Sequence, residues 1–149
     1  ENMQSLLSSH VPDVAVINLG TEDIMSSKLA AESLADGIVK NIGKVVDTLH
    51  ARNGKMKIVL STIIPVAGKQ EVVNMVNLKI SRYVQSNSMR PCPVVLADPC
   101  KGFEVSRDLA ADGTLPNAGG ARKMASVFAD VIQRLLRNAE HEERKDRND

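Results

Sequence analysis

Apolar positions along the chain fall into two interleaved patterns. Short, nearly continuous β-branched runs occur at residues 13–19 (DVAVINL), 56–64 (MKIVLSTII) and 93–98. Runs of this length suit strands buried on both faces, as in a parallel sheet. Between them the period changes to that of a helix. Ala30, Leu34, Ile38, Ile42, Val45, Val46 and Leu49 recur at helical spacing and stop at Arg52-Asn53-Gly54, a helix-ending signal. Val72, Val73, Val76, Ile80, Tyr83 and Val84 repeat the pattern, as do Met124, Val127, Phe128, Val131, Ile132, Leu135 and Leu136. Asn117, just after Pro116, stands where the N-cap of that last helix belongs. Met3, Leu6 and Leu7 predict a further helix at the start of the chain, which therefore reads as opening mid-helix. The order α, β, α, β, α, β, loop, α predicts right-handed crossovers and a layered α/β fold on a parallel sheet. Three strands are few for such a sheet.

Composition narrows the function classes. The 149 residues amount to one domain. We place it at 1–137, followed at 138–149 by a charged stretch whose charges alternate in sign and nearly cancel, expected as a frayed, solvated helix end or a disordered tail. A formal net charge of +1 gives no reason to expect nucleic acid or an anionic membrane as partner. No apolar run approaches the roughly 18 residues that span a bilayer, and no basic-then-apolar leader is present. Aromatic residues, at 2%, supply little for stacking on bases or sugars. Cys92 and Cys100 flank a predicted strand, so their Cα atoms should lie roughly 25 Å apart, well beyond disulfide reach. Neither a CxxC pair nor a histidine cluster accompanies them, and the Gly-rich nucleotide patterns are missing. No metal or cofactor is expected.

Ligands of open α/β sheets bind at the carboxyl ends of the strands. Here the first strand leads into Gly20-Thr21-Glu22-Asp23, the second into Pro65-Val66-Ala67-Gly68, and the third into Asp98-Pro99 and onward to residues 112–117 (DGTLPN). Polar, turn-forming residues concentrate at this one edge. Two of these stretches carry a family resemblance. Residues 12–23 (PDVAVINLGTED) resemble the P-D-V-V-x-x-x-x-G-T-N-D block of the SGNH hydrolases, the GDSL-like esterases and lipases. Residues 112–125 (DGTLPNAGGARKMA) resemble their last block, D-G-x-H-P-N-x-x-G-x-x-K-M-A. Thr62-Ile63-Ile64-Pro65, Asn77-Leu78-Lys79-Ile80, and Val95-Leu96-Ala97-Asp98 followed by Gly102-Phe103 are similar too. The likeness runs from about residue 6 to residue 136 and is strongest to the carbohydrate-deacetylating, acetyl xylan esterase-like branch.

The resemblance implies a three-layer, flavodoxin-like parallel sheet of which the N-terminal strands are missing, and a serine ester hydrolase. In that family a Ser from a Gly-Asp-Ser block attacks the acyl carbon, a His takes its proton, and an Asp three residues before the His orients the ring. The Asn of G-T-N-D helps to hold the oxyanion. Carried over, Asp112 is the triad aspartate, and Gly20, Thr21, Glu22 and Asp23 form the oxyanion and substrate region. Three positions depart. No Gly-Asp-Ser block precedes the first strand, where Ser5, Ser8 and Ser9 lie on a helical pattern. Glu22 stands at the Asn position and, ionised, cannot donate a hydrogen bond. Leu115 stands at the His position, and His10, His50 and His141 do not replace it by spacing.

Plainer roles exist for each residue: Asp112 as a turn former beside Gly113, Asn117 as a cap, Gly20 as a tight turn, and Glu22 and Asp23 as solvated carboxylates. Glu22, Asp23 and Asp112 converging on a hard cation has no supporting ligand spacing. The expected function is therefore an esterase-type domain for a small ester or acetylated carbohydrate, inactive as it stands. The alternative is a non-catalytic binding module that self-associates or recruits a partner chain at an exposed sheet edge.

Overall fold

The computed structural model describes Leu7, Ser8 and residues 11–89 and 92–146. Leu7 and Ser8 are helical; the rest of the predicted opening helix, with Ser5, Ser9 and His10, lies outside the described residues. Strand β1 spans Val14–Ile17, helix α1 Thr21–Ser26, α2 Ala31–Arg52, β2 Lys57–Ser61, α3 Gln70–Ser86, β3 Val94–Ala97, α4 Val105–Asp108 and α5 Ala118–Asp146. The sheet has the order β1-β2-β3, parallel throughout. Val14 aligns with Lys57 and Ile17 with Leu60; Ile58 aligns with Val94 and Ser61 with Ala97.

Side-chain alternation along the strands divides the interior in two. Ile17, Ile58, Leu60 and Val94 face α2 and α3, where they pack with Ile38, Ile42, Val46, Val73, Val76 and Ile80. Val59 and Ala97 face the other way, onto Val131 of α5, flanked by Val127, Phe128, Ile132 and Leu135. The result is three layers: α2 and α3, the sheet, and α5. This is the expected α/β architecture. Because the sheet is covered on both sides over β2 and β3, its strands carry unbroken apolar runs rather than strict alternation.

The differences from expectation are local. All three strands are shorter than their apolar runs. Thr62 N–H still donates to Ala97 O of β3 at 3.0 Å, and β2 stops because the main-chain groups of the next residue, Ile63, are taken by a side chain of α3. Two short helices, α1 and α4, occupy stretches expected as loop. The final helix runs from Ala118 through Asp146. No helix among the described residues is long and apolar enough to cross a membrane.

Candidate site at the carboxyl edge of the sheet

β1 ends in Gly20, whose φ of 116° belongs to the region that L side chains avoid. A Cβ there would also meet Ile63 Cδ1 at 2.8 Å and Ile38 Cγ2 at 3.0 Å. The turn aims the chain into α1, which Ile24 anchors in the core. Glu22 and Asp23 lie exposed in the first turn, where the helix dipole favours carboxylates. Beneath them Asn18 Nδ2 donates to Ser61 Oγ at 3.3 Å, and Ser61 Oγ donates to Thr62 O at 2.7 Å.

The ends of β2 and β3 are tied to each other and to α3. Thr62 Oγ1 donates to Asp98 Oδ1 at 2.7 Å, which also accepts Cys100 N–H at 3.2 Å. Asn77 brackets Ile63 like a β-strand partner. Its Oδ1 accepts Ile63 N–H and its Nδ2 donates to Ile63 O, both at 2.8 Å. Cys100 Sγ donates to Ile63 O at 2.9 Å. Burial pushes the Cys100 thiol up, so it stays protonated and a poor nucleophile. Cys92, also a free thiol, is raised by burial as well and donates to Met56 O at 2.8 Å.

The segment carrying Asp112 and Leu115 is pinned at both ends. Asp112 Oδ1 accepts the N–H groups of Thr114 at 2.9 Å and Leu115 at 3.2 Å. These two bonds hold its carboxyl below the usual aspartate range and make it the cap of its own turn. Leu115 stands out of that turn, 59% exposed. Gly113, at φ 70°, presses against the loop after β2: a Cβ would lie 2.6 Å from Ala67 Cβ, and Gly113 O accepts Ala67 N–H at 2.9 Å. Downstream, Asn117 both caps and tethers. Its Oδ1 accepts the N–H groups of Gly119 and Gly120, while its Nδ2 donates to Arg107 O and Leu109 O.

Asp108, only 2% exposed, lies under this segment. It accepts Lys123 Nζ at 2.5 Å and Glu104 N–H at 2.7 Å. The Lys123 hydrogen bond, then the Glu104 amide, hold its carboxyl low. Gly120 is required here, since a Cβ would clash with the Asp108 carbonyl oxygen.

The fold thus brings the 65–68 loop against the 112–115 turn. Among the described residues no hydrogen bond or ion pair joins Gly20–Asp23 to Asp112–Leu115, and no cluster of three acidic, histidine or cysteine side chains suits a metal. His50 Nε2 lies 3.3 Å from Met56 O, at the opposite end of β2 from the site. Among the described residues no histidine hydrogen-bonds to Asp112, and the Leu115 side chain can neither take nor give a proton. Asn77 and the Asp108–Lys123 pair are positioning groups. Asn77 and Lys123 fall within stretches that resemble the family, but the resemblance assigned neither a role. Asp108 lies outside those stretches, 15 positions before Lys123, and carried no signal.

No family model matches the chain. In sequence it is 30% identical over 147 residues to a multidomain esterase of Ruminococcus flavefaciens, aligning 92% of this chain with 18% of that protein. In structure it is similar to a carbohydrate esterase family 3 protein from Talaromyces cellulolyticus, with TM-score 0.79, 26% identity, and 89% of this chain covering 62% of that one. It shares its fold with a GDSL-like lipase from Bacteroides thetaiotaomicron, with TM-score 0.65, 19% identity, and 83% of this chain covering 63% of that one. The chain therefore spans about a fifth of the curated relative and under two thirds of these solved structures.

Proposed function

We propose, on the premise that this chain is an SGNH-type, GDSL-like hydrolase domain by fold and by sequence likeness to esterases, that it handles an acetylated carbohydrate and does not hydrolyse the ester with its own residues. The observation that carries this reading is the 112–115 turn. Oδ1 of the carboxylate at the triad position of the resembling family accepts the amides of Thr114 and Leu115, and an exposed leucine stands where the resemblance places the base. Nucleophilic attack by a serine needs a base within hydrogen-bond reach, and no histidine among the described side chains stands at this edge. Glu22 at the Asn position adds negative charge where an oxyanion would form. Losing one such donor costs about 2.7–4 kcal/mol of transition-state stabilisation, and a carboxylate in its place opposes the developing charge as well.

Ligand contact falls to the groups that remain: the Gly20–Asp23 turn, the 65–68 loop and the 112–115 turn. The amides of Thr21 and Ala118 lie at helix starts, and Leu115 offers an apolar surface to an acetyl methyl. Two measurements test the reading. With p-nitrophenyl acetate, the chain should give no turnover above a heat-treated control; turnover blocked by a serine-directed phosphonate would overturn it. Titration with an acetylated xylo-oligosaccharide should shift the amide resonances of Gly20–Asp23 and residues 112–115 and leave those of α2 in place.

A second reading is a non-catalytic interaction module, for which Val16, 43% exposed in mid-strand among the described residues, offers an apolar contact. Under it the oligosaccharide shifts no resonance at the carboxyl edge.

A further inference from the structure

The three segments assigned to ligand contact are joined through one residue, Ile63. It is fully buried and stands just past the end of the β2 ladder. Buried main-chain groups must find partners, and its N–H and C=O find theirs in a side chain. An amide carries a donor and an acceptor on one planar group, as a peptide does. Asn77 of α3 uses both: Oδ1 accepts Ile63 N–H and Nδ2 donates to Ile63 O, each at 2.8 Å. This accounts for a half-buried amide on a helix whose buried stripe is otherwise Val73, Val76 and Ile80. Cys100 Sγ shares Ile63 O at 2.9 Å.

Two branches leave Ile63. Its side chain supports the Gly20 turn, where a Cβ would lie 2.8 Å from Ile63 Cδ1. Its main chain leads into the 65–68 loop, in which Val66 is buried and Ala67 N–H donates to Gly113 O at 2.9 Å. Gly113 belongs in turn to a closed hairpin. Asp108 O accepts Asn117 N–H at 2.8 Å, Leu115 O accepts Ala110 N–H at 2.8 Å, and Ala110 O accepts Gly113 N–H at 2.9 Å. A hairpin tied in this way carries Asp112 and Leu115 with it wherever Ala67 stands.

We propose that Asn77 is the positioning residue of the carboxyl-edge site. By clamping Ile63 it sets the separation between the Gly20–Asp23 turn and the paired 65–68 and 112–115 segments, and so whether one acetylated sugar touches all three. Its amide is turned onto Ile63, so it acts through that residue. The effect on binding rests on the carbohydrate reading above; the geometry is testable without a ligand.

Amide spectra of the ligand-free chain make that test. Asn77→Ala should shift the resonances of Gly20–Asp23, Ala67 and Gly113 together and speed hydrogen exchange at Ile63 and Ala67. Asn77→Asp keeps the acceptor for Ile63 N–H but sets a carboxylate oxygen against Ile63 O. It should shift the same two branches, and it serves in place of alanine if that variant does not fold. Ile63→Val removes Cδ1 and keeps the clamp, so it should shift Gly20–Asp23 and leave Ala67 and Gly113 in place. With the acetylated xylo-oligosaccharide, both Asn77 variants should bind about tenfold more weakly at a temperature where they are fully folded. A purely structural role would lower the melting temperature but leave these resonances and the affinity unchanged, and that result would overturn the proposal. So would an Asn77 variant that shifts one branch alone, or an Ile63→Val that shifts both. A wild-type chain that binds no oligosaccharide would refute the carbohydrate reading, while the two-branch shifts would still support the clamp.

Discussion

Asp108 shows how one side chain acquires a role that its neighbours in sequence do not announce. Its carboxylate is buried and bonded to Lys123 and to the Glu104 amide, and its pKa is held below the ordinary value of about 3.9. A carboxyl whose folded pKa is depressed contributes stability above its unfolded pKa and loses it as the pH falls through the folded one. Asp108→Asn should therefore melt at a lower temperature than wild type at pH 7, and the gap should begin to narrow near about pH 4 and close only as the pH falls through the depressed folded value. Thermal melts of both proteins between pH 2.5 and 7 check this; a gap independent of pH would mean that the charge is not what matters. Asp112 differs in kind. Its role as a turn former was legible from Asp112-Gly113, because an Asx turn is written in consecutive residues. The Asp108–Lys123 pair was not, because it joins a short helix to the side of another one.

At the scale of elements, the long helices were legible and the short ones were not. α2, α3 and α5 each bury a stripe at helical period, so the pattern marks them within a few residues. α1 and α4 are too short to show a period. Each is held by a single anchor, Ile24 for α1 and Asp108 for α4. Asn117 joins the two scales, since it was recognisable as a cap but not as a tether. Asn117→Ala should destabilise by about 1–2 kcal/mol through the lost cap, read from denaturant unfolding. Asn117→Asp keeps the capping acceptor but turns a carboxylate toward the carbonyls of Arg107 and Leu109. It should therefore cost at least as much as alanine. An Asp variant as stable as wild type would reduce the residue to a cap alone.

At the scale of the whole molecule, the larger core between the sheet and α2–α3 is largely aliphatic, and among the described residues no strand pairs with the outer edge of β1. We expect marginal stability: one cooperative transition below about 65 °C at micromolar concentration, followed by circular dichroism, with a melt well above that temperature as the contrary result. The sequence by itself determined the three strands, the three long helices, their alternation and hence the parallel layered architecture, because those follow from the period at which apolar side chains must turn toward a core. It also placed Gly20 and Asp112 at the carboxyl edge, since strand direction in a parallel sheet carries every βα turn to the same end. Tertiary structure alone decided where β2 stops, because Asn77 of α3 takes both main-chain groups of Ile63. It likewise decided that α5 comes to rest on β2 and β3, because periodicity within one helix says nothing about which strands the helix will cover.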